Sequence, residues 1–417
     1  MIKFHNNILT HSLVDFVPLH NLKKNMIMKK IILFLALLVG TGVFAQKHKD
    51  EKNIYTDFLP YYNFGKGLGI TAPDSIFQLN IRFRMKNRLE VTEDTYSAKV
   101  RRLRLRFDGY VGDPKFTYAI QLAFAPEDIG TTRDGENLNI IRDAIVFYKP
   151  NDQWSFGFGQ TKLPGNRQRI NSSGALNLTD RSINNQAYNI DRDFGVQAVY
   201  SKQKENAFGY NIKAALTTGE GRNSTTKTKG LAYTGRIEFY PFGKFKKGGE
   251  FFEGDLQREE KPKLYFGGTY HYNEKATLSR GQHGAKLLQQ RDLQSFFLDF
   301  VCKYNGWSFT SAYMSRTADN PIVDAAKANF VQVGNGYDTQ LSYVFPQKWE
   351  IIGRFSRNNS HSDLYAFVPK QNQFSLGITK YIWEHAFKMQ FEISKNDYIQ
   401  SPKKDDWYAR FQIEIGI

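Results

Sequence analysis

The sequence predicts an all-β fold, a closed antiparallel transmembrane β-barrel of about sixteen strands, and three observations predict it. Segments of roughly ten residues with alternating polarity follow one another from Phe77 to Ile417. The links between them alternate between tight turns and long polar loops. One stretch, VRRLRLRFDGYV at 100–111, puts Leu103, Leu105, Phe107, Gly109 and Val111 on one face of a strand and Arg102, Arg104, Arg106 and Asp108 on the other. Three arginines in a row on one face cannot enter a dry core, because each unpaired buried charge is costly. A greasy outside around a wet inside satisfies both faces, and a barrel in lipid supplies that arrangement.

In chain order, residues 1–27 carry no targeting character and read as an over-extended start, with Met26 or Met28 the better initiator. Residues 28–45 read as a cleaved export signal, with Lys29 and Lys30 before the apolar run Ile31 to Val39, and Val43 and Ala45 at the cut. Residues 46–76 form a polar periplasmic leader, and 77–417 the barrel. Removal of 1–45 takes five lysines and one aspartate from a net charge of +16, leaving +12. For an exported chain that excess points to anions or anionic lipid, not to nucleic acid. A single cysteine, Cys302, excludes an internal disulfide framework and any multi-cysteine metal site. Neither a cofactor nor a metal is expected.

The sixteen predicted strands are 77–86, 99–111, 116–125, 139–148, 154–162, 193–200, 208–216, 231–240, 263–272, 293–304, 307–316, 335–345, 349–357, 371–382, 385–394 and 407–417. Links after even strands are tight, as at Asn305-Gly306, and links after odd strands are long, which is the asymmetry of periplasmic turns against external loops. The long charged link 241–262 is the exception and has no explanation at this level. A soluble all-β protein also alternates, but sixteen strands, aromatics near strand ends such as Trp154, Tyr200, Trp307 and Trp349, and an apolar final strand favour the membrane.

The first two strands aim Arg82, Arg84, Lys86, Arg102, Arg104 and Arg106 into the lumen, with hardly an acid among them beyond Asp108. Such a cluster is tolerable where water and counter-ions fill the space, and a passing anion relieves its repulsion. The alternative is that these bases brace the wall against luminal acids such as Asp108, Glu238, Asp299, Glu392 and Glu414. The thirty-residue connection after the fifth strand, Leu163 to Arg192, is long enough to fold inward and narrow the lumen. Lys162, Arg167 and Arg169 would place positive charge at that narrowing.

The stretches VRRLRLRFDGYVGDPKFTY at 100–118, FGQTKLPGNRQRINSSGALNLTDRS at 158–182 and NIDRDFGVQ at 189–197 resemble the phosphate-selective porin O and P family. The resemblance implies a sixteen-stranded outer-membrane porin, usually trimeric, with an inward-folded loop after the fifth strand and basic side chains guiding small anions such as phosphate or polyphosphate. Outer-membrane lipid and lipopolysaccharide are its expected surroundings. A barrel enzyme or a surface-binding protein without channel activity is the alternative. His361-Ser362-Asp363 is the nearest thing to a catalytic constellation, and Glu250, Glu253, Asp255, Glu259 and Glu260 lack a regular calcium-ligand spacing. Cys302, among Phe296, Leu298 and Phe300, is expected to face lipid or a neighbouring subunit.

Overall fold

The computed structural model describes residues 61–63, 67–72, 76–129, 139–227, 229–399 and 401–417. The expected start, signal and first part of the leader, residues 1–60, lie outside the described residues. Two short leader strands, β1 (Tyr61–Asn63) and β2 (Gly67–Thr71), precede the barrel. The barrel begins with β3 (Phe77–Thr92), β4 (Tyr96–Val111), β5 (Asp113–Ala123), β6 (Ile141–Tyr148), β7 (Trp154–Lys162), β8 (Arg192–Lys202), β9 (Gly209–Thr217) and β10 (Ala232–Tyr240). It continues with β11 (Lys263–Leu278), β12 (Lys286–Tyr304) and β13 (Trp307–Thr317), and a small hairpin of β14 (Ile322–Asp324) and β15 (Asn329–Phe330) sits in the next loop. The last five strands are β16 (Gly334–Val344), β17 (Trp349–Ser360), β18 (Lys370–Trp383), β19 (Phe387–Ile399) and β20 (Asp406–Gly416). Each barrel strand pairs antiparallel with the next, and β20 pairs with β3 from Tyr408↔Thr92 to Gly416↔Arg84, which closes the sheet.

All sixteen predicted strands are present, and their limits differ in an instructive way. The first two pair as far as Val91↔Tyr96, where the pattern had stopped at 86 and 99. The ninth and tenth pair as far as Leu278↔Lys286. Beyond the lipid both faces can be polar, so alternation fades while the backbone ladder continues. The leader is not merely a polar linker. Leu68↔Ile81 and Thr71↔Gln78 pair β2 with the edge of β3, and Phe83 and Ile417 exchange backbone hydrogen bonds at 3.1 Å. β2 therefore takes over the edge where β20 stops.

Burial is inverted relative to a soluble protein. Leu376 and Ile351, on the outer face, are 64% and 53% exposed, whereas Lys86, Lys388 and Glu350, on the inner face, are excluded from solvent. Aromatic pairs ring the short-turn rim: Trp154 lies 5.0 Å from Tyr200 and Trp307 4.8 Å from Tyr343. On the same rim Asn305 and Gly306 both take positive φ, 46° and 91°, the turn that matches strand twist. Cys302 stands on the outer face of β12, paired with Leu264 and Phe309. Among the described residues no helix is long and apolar enough to cross a membrane; the strands do so.

Candidate functional site

The β3–β4 register sets Arg82 opposite Arg106, Arg84 opposite Arg104 and Lys86 opposite Arg102. Three rungs of like charge follow one another down the inner wall. Directly opposed like charges destabilise a sheet, so each rung needs negative charge from elsewhere. The two strands themselves offer little beyond Asp108, and loops and the far end of the chain supply the rest, Glu414 as the bracing alternative had it and Asp128 besides. Glu414 of β20 reaches Lys86 at 3.0 Å and Arg84 at 3.6 Å. Asp128, on the helical turn Pro126–Ile129, takes two hydrogen bonds from Arg104 at 2.8 and 2.7 Å and one from Arg102 at 3.2 Å. Asp108 is shared by Arg82 and Arg106, and Arg106 also stands 3.9 Å from Asp143. Burial alone would raise the Asp128 carboxyl, but Arg104, Arg102 and Arg142 outweigh it and hold the group well below the usual carboxylate range.

The six bases differ in what else surrounds them. Lys86, Arg102 and Arg104 are covered, and Lys86 also donates to the Ser173 carbonyl at 2.7 Å. At the short-turn end, Arg82 and Arg106 keep side-chain exposures of 28% and 33%. The cover comes from the connection between β7 and β8. Its sequence breaks into short helical turns at Arg167–Ile170, Ser173–Ala175 and Ile183–Tyr188, because Pro164-Gly165 and the caps Ser172 and Ser182 interrupt any longer helix. Ser182 Oγ accepts from Asn185 N at 3.0 Å and donates to Asp338 at 2.6 Å. Across the barrel, Lys388 donates to the Gly174 carbonyl and Gln390 to those of Asn177 and Leu178, while Thr179 donates to Glu392 at 2.8 Å. Where this connection lies, inner positions turn apolar: Ala215, Phe297 and Met314 pack with Leu163, Ala187, Tyr188 and Ile190.

Among the bases expected to narrow the lumen, Lys162 donates to the carbonyls of Ile170 and Asn171 at 2.6 and 2.9 Å. Arg169 pairs with Asp191. Arg167 is buried and donates to the carbonyls of Glu250 and Phe252, both at 2.7 Å, so it anchors a neighbouring segment. Asp180 and Arg101, which sequence reasoning missed, belong to the same network: Asp180 takes hydrogen bonds from Arg88 at 3.0 Å and Arg101 at 3.1 Å. Asp180 follows Thr179 in a stretch read only as loop, so its sole signal was an acid amid basic neighbours. His361 lies 3.5 Å from Asp363 and Ser362 donates to that same carboxylate at 3.3 Å, which turns the hydroxyl toward the acid. Among the described residues no three His, Cys, Asp or Glu converge as metal ligands.

The family model described as phosphate-selective porin O and P matches residues 77–406, from the first barrel strand to the start of the last. The chain belongs to that family. No curated protein matches it significantly. Among solved structures it is similar to the outer membrane channel DcaP of Acinetobacter baumannii, at 13% identity and TM-score 0.52 over 84% of this chain and 99% of that one. Salmonella typhi OmpF, at 11% identity and TM-score 0.51, is covered in full by 84% of this chain. OmpT of Vibrio cholerae, at 10% identity and TM-score 0.51, is likewise covered in full by 84% of it. At such identities the likeness is one of fold. The porin is thus an outer-membrane protein of bacteria, with its short-turn rim toward the periplasm.

Proposed function

We propose that this porin gives small anionic solutes, phosphate or polyphosphate among them, a passive route across the outer membrane along the β3–β4 wall. The observation that carries this reading is the gradient of exposure down the three rungs: Arg82 and Arg106 retain contact with solvent where Lys86, Arg102 and Arg104 do not. Guanidinium forks match the oxygens of phosphate and carboxylate, and water around this rung keeps an anion's stay short. The reading therefore narrows the six-residue track to its open rung, with the other four bases holding the wall and the β7–β8 connection in place. Lys162 and Arg169 are held by the Ile170 and Asn171 carbonyls and by Asp191, and with Arg167 they act through the connection they hold. No bond is made or broken in this function. The assembly is taken to be a homotrimer, as the family implies, set in lipid and lipopolysaccharide; crosslinking in the membrane checks the subunit number.

The test is the reversal potential of the refolded porin in a planar bilayer under a potassium chloride gradient, followed by titration with phosphate. Anion selectivity with block of chloride current by phosphate is the expected result. A pore without anion preference would remove the basic wall from the mechanism, and anion preference without phosphate block would remove phosphate.

A further inference from the structure

The link between β10 and β11, residues 241–262, is far longer than its neighbours on the periplasmic rim, which run from the single Gly112 to the six residues 203–208. Its ends bond to neighbouring turns, and its middle, Gly249 to Gly254, contacts the inside of the barrel. Lys303, an inner-face residue of β12, spends its ammonium on three carbonyls of this link, those of Gly249 at 2.8 Å, Phe252 at 2.9 Å and Gly254. Gly254, with φ of +69°, sits so close to the inner face of β17 that an added Cβ would lie 2.5 Å from the Glu350 carboxylate. Phe252 packs against His385 with ring centroids 4.7 Å apart and the planes tilted by 32°. Asp255 takes the Gly306 N–H at 2.8 Å, and Asn305 N donates to Glu259 O at 2.8 Å, which ties the base of the link to the next turn.

From the other side the link meets the β7–β8 connection. Arg167 supplies its two guanidinium bonds to the carbonyls of Glu250 and Phe252. Glu253 accepts from Gln168 Nε2 at 3.0 Å and from Asn177 N at 3.2 Å, and its own N–H donates to the Ala175 carbonyl at 2.9 Å. Two segments that enter from opposite rims are thus bonded together inside the lumen. Beside this junction a cavity of about 360 Å³ is bounded by Lys162 at the end of β7 and Ile170 of the connection, by Asn211 and Lys213 of β9, and by Glu250 and Phe251 of the link. Phe251 is 44% exposed, whereas its neighbour Phe252 is engaged by His385.

We infer that the 241–262 link is a second constriction element, built from the periplasmic end, and that Phe251 and Glu250 form the movable-size side of the opening that the β7–β8 connection leaves along β8 and β9. The chain spends a buried lysine, a buried arginine and a glycine whose added Cβ would meet Glu350 on docking this segment, which a mere rim ornament does not require. The size limit of the pore is therefore set jointly from both rims. This inference rests on channel activity alone and not on anion preference, so its test uses uncharged solutes.

The experiment is a liposome-swelling series with uncharged sugars of increasing size, together with single-channel conductance, on the full porin and on two variants. Phe251→Trp is expected to lower conductance and the size limit, and Phe251→Ala to raise both, by a factor of about two or less for a single side chain at one side of the opening. Unchanged sugar permeation and conductance in both folded variants would overturn the inference. A second measurement reports docking directly: with Cys302→Ser in the background, Gln168→Cys and Glu253→Cys are treated with a short bifunctional thiol reagent. An intramolecular crosslink in the folded barrel is expected, and its absence would show that the link does not sit in the lumen. If permeation responds as expected but reversal potentials show no anion preference, the constriction stands and the proposed selectivity falls.

Discussion

Along the lower part of β3 and β4 the inward charges meet water, whereas along β17 to β20 they meet the main chain of the β7–β8 connection. Lys388 and Arg106 show the contrast. Lys388 has no exposure and divides its ammonium between the Gly174 and Leu176 carbonyls and Glu414. Arg106 keeps a third of its side chain exposed beside Asp108. Both are basic residues on the inner face of a barrel strand, yet one holds a loop and the other keeps solvent contact. Charge in a lumen is thus not in itself a pathway; what decides is whether a carbonyl or water completes the cation's hydrogen bonds.

The sharpest way to break this comparison is to replace neighbours on one strand. Arg104→Ala leaves Asp128 buried with only Arg102 and Arg142 beside it. We expect a loss toward the low end of the roughly 3–5 kcal/mol typical of an unpaired buried partner, measured as a shift in denaturant unfolding of the detergent-folded barrel. Arg106→Ala, two residues away, is expected to cost no more than about 1 kcal/mol. Equal losses would erase the distinction between braced and open bases. Next in size is selectivity: the double variant Arg82→Gln, Arg106→Gln is expected to lower the anion reversal potential substantially in a barrel that still resists unfolding, and Lys388→Gln to leave that potential nearly unchanged. Raising salt to about 1 M, where the screening length falls to about 3 Å, should weaken the wild-type preference toward that of the double variant.

A smaller effect separates the clamp on the β3–β4 wall from the periplasmic link by pH. Asp128 is held below the usual carboxylate range, so its clamp is fully present above about pH 4 and is lost only as pH falls through its own depressed value. Glu250 behaves in the opposite sense. Burial raises it, against Lys303 and Arg167 and with Glu238 nearby, so its ionisation weakens docking of the periplasmic link at neutral pH. Acidification toward about pH 4.5 is expected to tighten the link and reduce conductance modestly while anion preference persists; conductance that rises on acidification would contradict the assignment of Glu250. Smallest of all, a membrane-impermeant thiol reagent should leave Cys302 unmodified, since its neighbours on the outer face are Leu264 and Phe309.

The strands were legible because lipid outside and water inside impose a two-residue period that each segment must obey by itself. The partners of the bases were not legible in the same way. Glu414 lies more than three hundred residues from Lys86 and reaches it only when the sheet closes, while Asp128 and Asp180 sit in loops without periodicity that carry them to the bases. One signal went unused: SFFLDFV in β12 is apolar at Phe297 on the inner face as well as at Phe296 and Leu298 on the outer, and an apolar residue aimed into a wet lumen announces that something packs on it. The long link 241–262 stood out only as a broken rule of loop lengths, and its meaning lay in carbonyls, which no side-chain pattern displays.

The meeting of β2 and β20 on one edge of β3 also bears on how faithfully the barrel closes. With Leu68 opposite Ile81 and Gly416 opposite Arg84, the leader strand and the final strand abut on a shared track with only Arg82 and Phe83 of β3 between those two pairs, Phe83 bonding to Ile417. Were β20 to slide two residues toward the periplasm, it would collide with the leader; were it to slide the other way, backbone groups at the junction would be left without partners. The leader hairpin thereby acts as an end stop that admits a single stagger at the seam, and stagger together with strand number fixes the width of a barrel.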